Sequence, residues 1–312
     1  MKPVAHAAAA TSVPSTTRWD SGVARSTHRA ADFATLAKPR LNSLVLATTA
    51  AGLYLASPDG VAIPILLHTL LGTALVAGGA AALNQVWERD TDALMQRTRT
   101  WPIASGRLRA SDGFWFGMGL STTGLVELAM GVNLLSAVVA ALTLGGYVLV
   151  YTPLKRRTSL AMLVGAIPGA LPPVIGWVAA SGTFTLPALV LFGIVFFWQM
   201  PHFLAIAWLH RDDYRAAGIP LLPVVEPDGR RTGRQALLYG ATLWPVSLMP
   251  TLVGLAGGFY IVVATVLGLT LIALSARFAR DRSIPAARRL FLFSITYLPL
   301  LWGALVADRL WL

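Results

Sequence analysis

Residues 62–108 read AIPILLHTLLGTALVAGGAAALNQVWERDTDALMQRTRTWPIASGRL, a long apolar run that passes without a break into a crowd of acids, one amide and arginines. An apolar run of about 20 residues is enough for a helix to cross the hydrocarbon of a bilayer. If that helix continues a turn or two into water, Asn84, Glu88 and Asp92 recur at i, i+4 and i+8 on one drifting face, and their oxygens converge. Asp90 points roughly 120° away from Asn84 by the helical period and ranks below the other two acids. Oxygen ligands alone, at the mouth of a cavity, suit a hard cation such as Mg2+, which completes its shell with substrate phosphate oxygens. Arg97, Arg99, Arg107 and Arg109 come next, and guanidinium forks match phosphate. Acids for a metal beside arginines for a phosphate predict a diphosphate site. The plain alternative is a solvated loop whose charges cancel; the fixed Asn–Glu–Asp spacing and a second acidic segment further on favour the site.

The rest of the chain supports a membrane setting. Of its 312 residues 55% are hydrophobic and 12% charged, and the apolar segments are long and continuous rather than alternating, so the spanning form is helical. Nine stretches reach spanning length, at roughly 37–57, 62–84, 113–131, 132–152, 159–180, 186–208, 235–254, 257–276 and 289–308. The expected architecture is all-α: a nine-helix transmembrane bundle around a central cavity. Of the 25 lysines and arginines, 24 fall before or at the entry to the first stretch or after an even-numbered one. That bias places the N-terminus and those loops in the cytoplasm. The net charge of +11 thus reports topology and contact with anionic headgroups, and nucleic acid is not needed to explain it. There is no cysteine, which excludes disulfides, thiolate metal sites and a thiolate-bound haem. Residues 1–36, rich in Ala, Ser, Thr and Arg, lack the apolar core of a secretory signal; they read as a disordered cytoplasmic tail, with a transit peptide as the alternative, and 37–312 as the transmembrane domain.

Along the chain, Lys38 and Arg40 flank Pro39 at the entry to the first helix, as topology anchors that can also face the site. His68 reads as a packed intramembrane histidine. Glu127 is expected to face the bundle interior or to pair with something, lining a cavity or bonding Ser121, Thr122 or Thr123. The fourth helix leaves through GYVLVYTPLKRRTS, where Tyr151, Lys155, Arg156 and Arg157 form a basic turn on the same side as the first acids, so Lys155 and Arg156 are candidates to hold a diphosphate. The fifth contains Gly165, Pro168, Gly169, Pro172 and Pro173 and is expected to bend beside a cavity. Asp212 and Asp213 follow the sixth helix, four crossings after the first acidic segment and so on the same side. The two segments can then meet over one cavity and neutralise one diphosphate. His202, inside the sixth helix, either touches a planar substrate or packs.

These motifs resemble the UbiA superfamily of intramembrane prenyltransferases, from KPR at 38–40 onward. The superfamily's N-x-x-x-D-x-x-x-D motif is matched by Asn84, Glu88 and Asp92, with Glu in the first Asp position. DALMQRT, YTPLKRRT, GALPPVIGW, PHF and RDDYRAAGIPLLPVV resemble its haem O synthase branch, while Trp101 stands where the family usually has Arg and Ala161 where Asn is common. The resemblance implies a Mg2+-dependent transfer of the farnesyl group of farnesyl diphosphate to haem B, with water, giving haem O and diphosphate for haem-copper oxidase biogenesis. It implies catalytic and metal roles for Asn84, Glu88, Asp92, Asp212 and Asp213, and substrate contacts from Lys38, Arg40, Arg97, Arg107, Tyr151, Lys155, Arg156, His202 and Tyr214. It further implies a bacterial inner membrane, or a mitochondrial one in a eukaryote, with haem A synthase or oxidase assembly factors as partners. The rival readings are a UbiA-type enzyme with an aromatic quinone-precursor or chlorophyllide acceptor and, less favoured, a transporter built on proline-broken helices.

Overall fold

Long apolar runs leave their backbone groups no water to bond, so each closes its hydrogen bonds within itself as a helix. The computed structural model describes residues 29–310, and among these there is no strand. Among the described residues the apolar stretches are helical: α1 (Pro39–Leu55), α2 (Ile63–Leu94), α3 (Ala110–Gly131), α4 (Leu134–Leu154), α5 (Ala161–Ser181), α6 (Leu186–Leu209), α7 (Arg230–Leu252), α8 (Gly258–Asp281) and α9 (Ile284–Arg309). Six of them, α2, α4, α5, α6, α8 and α9, are long and apolar enough to cross a membrane. The other three fall short of that measure for visible reasons. α1 has only 17 residues, α3 carries Asp112 and Glu127, and α7 opens on Arg230, Arg231 and Arg234.

Small residues set the packing. α2 lies closest on α3, where a Cβ at Gly79 would stand 2.7 Å from the Gly117 carbonyl oxygen and one at Gly124 would stand 2.6 Å from that of Gly72. α1 crosses α5 in the same way, Gly52 against Pro173 and Gly176 against Thr49. Such close backbone approach is how helices associate where lipid offers no hydrophobic drive. The boundary between α3 and α4 falls at Val132–Asn133. The Asn133 side chain caps α4 by accepting from Ser136 N at 2.8 Å and donates to the Val178 carbonyl at 2.9 Å, tying the turn to α5.

Two irregularities position the site. α5 breaks between Gly169 and Pro172, since Pro172 and Pro173 have no N–H to give. Gln199 of α6 donates to the Ala166 carbonyl at 3.2 Å and so partners one carbonyl beside the break. α4 widens into a π-turn over Gly146–Tyr151, in which Thr152 N–H reaches back to the Tyr147 carbonyl. The extra residue rotates the remainder of α4 by about 100° relative to a regular helix.

Of the expected tail, residues 1–28 lie outside those described, and 29–36 are helical. Leu36 is fully buried with Ala82, Ile103 and Leu108, Phe33 packs beside it, and Arg29 pairs with Asp112 at 3.0 Å. Glu127 does not turn to Ser121, Thr122 or Thr123. It meets His68 Nδ1 at 2.6 Å, across a gap that Gly131 leaves open.

Candidate active site

The last turns of α2, α4 and α6 and the residue just before α1 come together at one end of the bundle. α2 runs straight through to Leu94, so Asn84, Glu88 and Asp92 share one face, and all three are buried, 2–4% exposed. Asp90, off that face, pairs with Arg89 in the open. Lys155, carried inward by the π-turn of α4, donates to Glu88 Oε2 at 3.0 Å. One turn earlier on α2, Asn84 Nδ2 donates to Thr152 Oγ1 at 3.1 Å. Tyr151 stacks on Tyr147 with ring centres 5.4 Å apart, immediately before this pair of contacts.

The second acidic segment, in the short helix Arg211–Ala216, closes on the loop after α2. Gln96 N donates to Asp213 Oδ1 at 3.4 Å, and Arg97 donates to the Tyr214 hydroxyl at 3.2 Å with its guanidinium over the Tyr214 ring. Neighbouring acids differ here: Asp212 points outward and pairs with Arg215 at 2.6 Å. Lys38 sits in the left-handed backbone region, φ 47°, a conformation that costs a non-glycine residue energy and concentrates at functional sites. Its ammonium lies 4.1 Å from the Trp101 ring centre. Burial pulls the Lys38 ammonium down to about 8, and Asp92 and Glu88 pull it up in opposition. Burial, with Arg97, also lowers His210.

Other expected residues are engaged elsewhere. Arg107 binds Asp32 at 3.0 Å and the Thr100 carbonyl at 2.9 Å, so it clamps the 29–36 helix to the loop. Arg156 donates to the Trp87 carbonyl and to Thr91 on the outer face of α2. Arg40 is exposed in the first turn of α1. His202 lies about 10 Å back from the end of α6 by helical rise; it stacks on Trp198 and its Nδ1 meets Ser294 Oγ at 2.8 Å. Sequence reasoning misses Thr152 and Trp101, which hold Asn84 and Lys38. A hydroxyl three residues before Lys155 and a ring between arginines are the only signals they give.

The donor set fits a hard cation. Glu88 Oε1 and Asp92 Oδ2 are buried with no hydrogen-bond partner, an arrangement that is costly unless something positive meets them. Among the described residues no three carboxylate or imidazole groups cluster tightly enough to enclose an ion unaided. A cation held here therefore takes further oxygens from an amide, water or a ligand, as Mg2+ does.

In sequence and in fold the chain is similar to known proteins. A protoheme IX farnesyltransferase from Solibacter usitatus is 47% identical over 287 residues, which cover 89% of this chain and 98% of that protein. Among solved structures, digeranylgeranylglyceryl phosphate synthase superposes with a TM-score of 0.78 at 14% identity, covering 91% of this chain and 100% of the other. A UbiA homologue from Archaeoglobus fulgidus bound to GPP and Mg2+ gives 0.62 at 14% identity, covering 88% and 99%. At such identities these two speak for the fold. The sequence profile of the UbiA prenyltransferase family matches residues 45–298, and this chain, an all-α integral membrane protein, belongs to that family.

Proposed function

We propose that the chain is a protoheme IX farnesyltransferase, joining the farnesyl group of farnesyl diphosphate to haem B, with water, to give haem O and diphosphate. The observation that carries the reading is the pair of unpartnered buried oxygens, Glu88 Oε1 and Asp92 Oδ2, facing a rim of Lys155, Lys38 and Arg97. Asn84, Glu88 and Asp92 would hold Mg2+, with Asp213 across the mouth. When bound, the ion supplies Lewis-acid neutralisation of the departing diphosphate. Lys155, Lys38 and Arg97 receive the charge that builds on the leaving oxygens, and such preorganised charge is worth most where water is excluded. The haem vinyl group adds to the farnesyl C1 as the C1–O bond breaks. Water then gives its oxygen to the resulting cation and loses a proton, so the hydroxyethylfarnesyl product balances. The Tyr147 and Tyr151 rings, stacked beside Lys155, offer π faces to the cationic carbon. The basic loops support a cytoplasmic site in the bacterial inner membrane, where haem A synthase or oxidase assembly factors take the product. The test is to incubate membranes containing the chain with protoheme and farnesyl diphosphate, with and without Mg2+, and to look for haem O by mass. Prenylation of a quinone precursor in place of haem would overturn the acceptor assignment.

Two expected outcomes probe the rim. Asp213→Ala lowers turnover about a hundredfold while Asp212→Ala changes it less than about threefold, because only Asp213 faces the loop after α2. Steady-state kinetics on both variants decide it, and equal losses would put both acids in the site. For Lys38, a lowered pKa means the unfolded chain holds this proton more tightly between about 8 and the ordinary lysine value, so Lys38 favours the fold more as pH rises through that window. Its positive charge, however, is lost. Accordingly kcat/KM for farnesyl diphosphate falls as pH passes about 8, and Lys38→Arg, always charged, removes that limb from the profile.

A further inference from the structure

The two ends of an Asn side chain are nearly the same size and opposite in sign. Turned one way, Asn84 offers a cation its carbonyl oxygen; turned the other, it offers an NH2 group that cannot ligate and repels positive charge. Something in the fold must choose, and the choice is made on α4. The Tyr147 carbonyl can only accept. It takes the Thr152 backbone N–H across the π-turn, and the Thr152 hydroxyl reaches it at 2.9 Å. The hydroxyl proton is therefore committed to Tyr147, and toward Asn84 Thr152 Oγ1 has only lone pairs. It can accept from Asn84 Nδ2, at 3.1 Å, and cannot donate to Oδ1. Thr152 is fully buried, so no water competes for either bond.

We infer that Thr152 is a positioning residue that orients the Asn84 amide so that Oδ1, not Nδ2, faces the cation bound with the prenyl diphosphate. The π-turn is what makes this possible. By inserting a residue ahead of Thr152 it puts Thr152 and Lys155 on the α2-facing side together, so that positions 152 and 155 meet 84 and 88 as two adjacent rungs. One rung sets the direction of an amide and the other pairs a carboxylate with an ammonium. A mid-helix threonine more often bonds only within its own helix, as Thr143 does to Val139.

The inference rests on the diphosphate-and-metal reading above and is tested by binding rather than turnover. Mn2+ affinity is measured by electron paramagnetic resonance on purified protein saturated with a non-cleavable thiolo analogue of farnesyl diphosphate. Thr152→Val keeps the shape and removes the hydroxyl; its Mn2+ affinity is expected to fall about tenfold or more, the usual effect of losing a group that orients a ligand. Thr152→Ser restores affinity to within about threefold. In an Asn84→Ala background the Val substitution costs nothing further, because the amide it orients is gone. Equal affinities in the wild type and Thr152→Val overturn the inference, as does an undiminished loss in the Asn84→Ala background. If the Val variant cannot be recovered folded, a tenfold loss in Thr152→Ser overturns it equally. A wild type that binds no Mn2+ with the analogue refutes the underlying reading instead.

Discussion

Asp92→Ala is expected to lower haem O formation by a thousandfold or more, about 4 kcal/mol of barrier, in a protein that still folds and inserts. The carboxylate is 2% exposed and one of its oxygens has no partner, so its only evident use is to meet a positive ligand. The local backbone does not depend on it. Thr98 Oγ1 bonds the Asp92 main-chain carbonyl at 2.8 Å, and Met95 N bonds the same oxygen; both survive truncation to alanine. In the metal-free protein Asp92 is a stability cost, a second buried negative charge one turn from Glu88. Removing it should leave the melting temperature unchanged or raised without divalent ion, and should erase most of the rise that Mg2+ plus diphosphate gives the wild type. Activity, melting and metal titration on one preparation decide the matter. Near-normal turnover, or a variant that simply unfolds, would sink the assignment.

The parts of the molecule legible in the sequence are those governed by short-range periodicity. Continuous apolar runs become helices because lipid leaves the backbone no alternative, and Asn84, Glu88 and Asp92 align because α2 stays regular to Leu94. The features that escape such reading depend on partners far away in the chain. Arg107 and Arg156 have the right charge near the right motifs, yet Asp32 and the Trp87 carbonyl take them, 75 and 69 residues distant. Glu127 and His68 read as unrelated oddities and are one pair. Asp212 and Asp213 are adjacent, but on a helix consecutive side chains diverge by about 100°, so one turns in and the other out. The π-turn in α4 shifts the register just where the basic turn begins, and no residue in GYVLVY announces it.

Lys155 carries the other large effect, because it completes a buried ion pair: its side chain is 12% exposed and that of Glu88 5%. Taking away one member strands the other. Lys155→Met should destabilise the metal-free protein by on the order of 3 kcal/mol, the cost of leaving a carboxylate buried without its counter-charge, and cut turnover about a thousandfold by removing a cation from the leaving-group side. The two consequences have different cures. Adding Glu88→Gln to Lys155→Met removes the stranded charge and should recover most of the melting temperature, with activity as low as before or lower, since a cation ligand has gone too. Millimolar Mg2+ should also recover part of the melting temperature in Lys155→Met alone, because the ion can stand where the ammonium stood beside Glu88. A purely structural ion pair would let the double variant regain turnover along with stability. A functional one separates them, and the site then needs both a positive group that meets the charge on the leaving diphosphate and a negative one that stays with the metal.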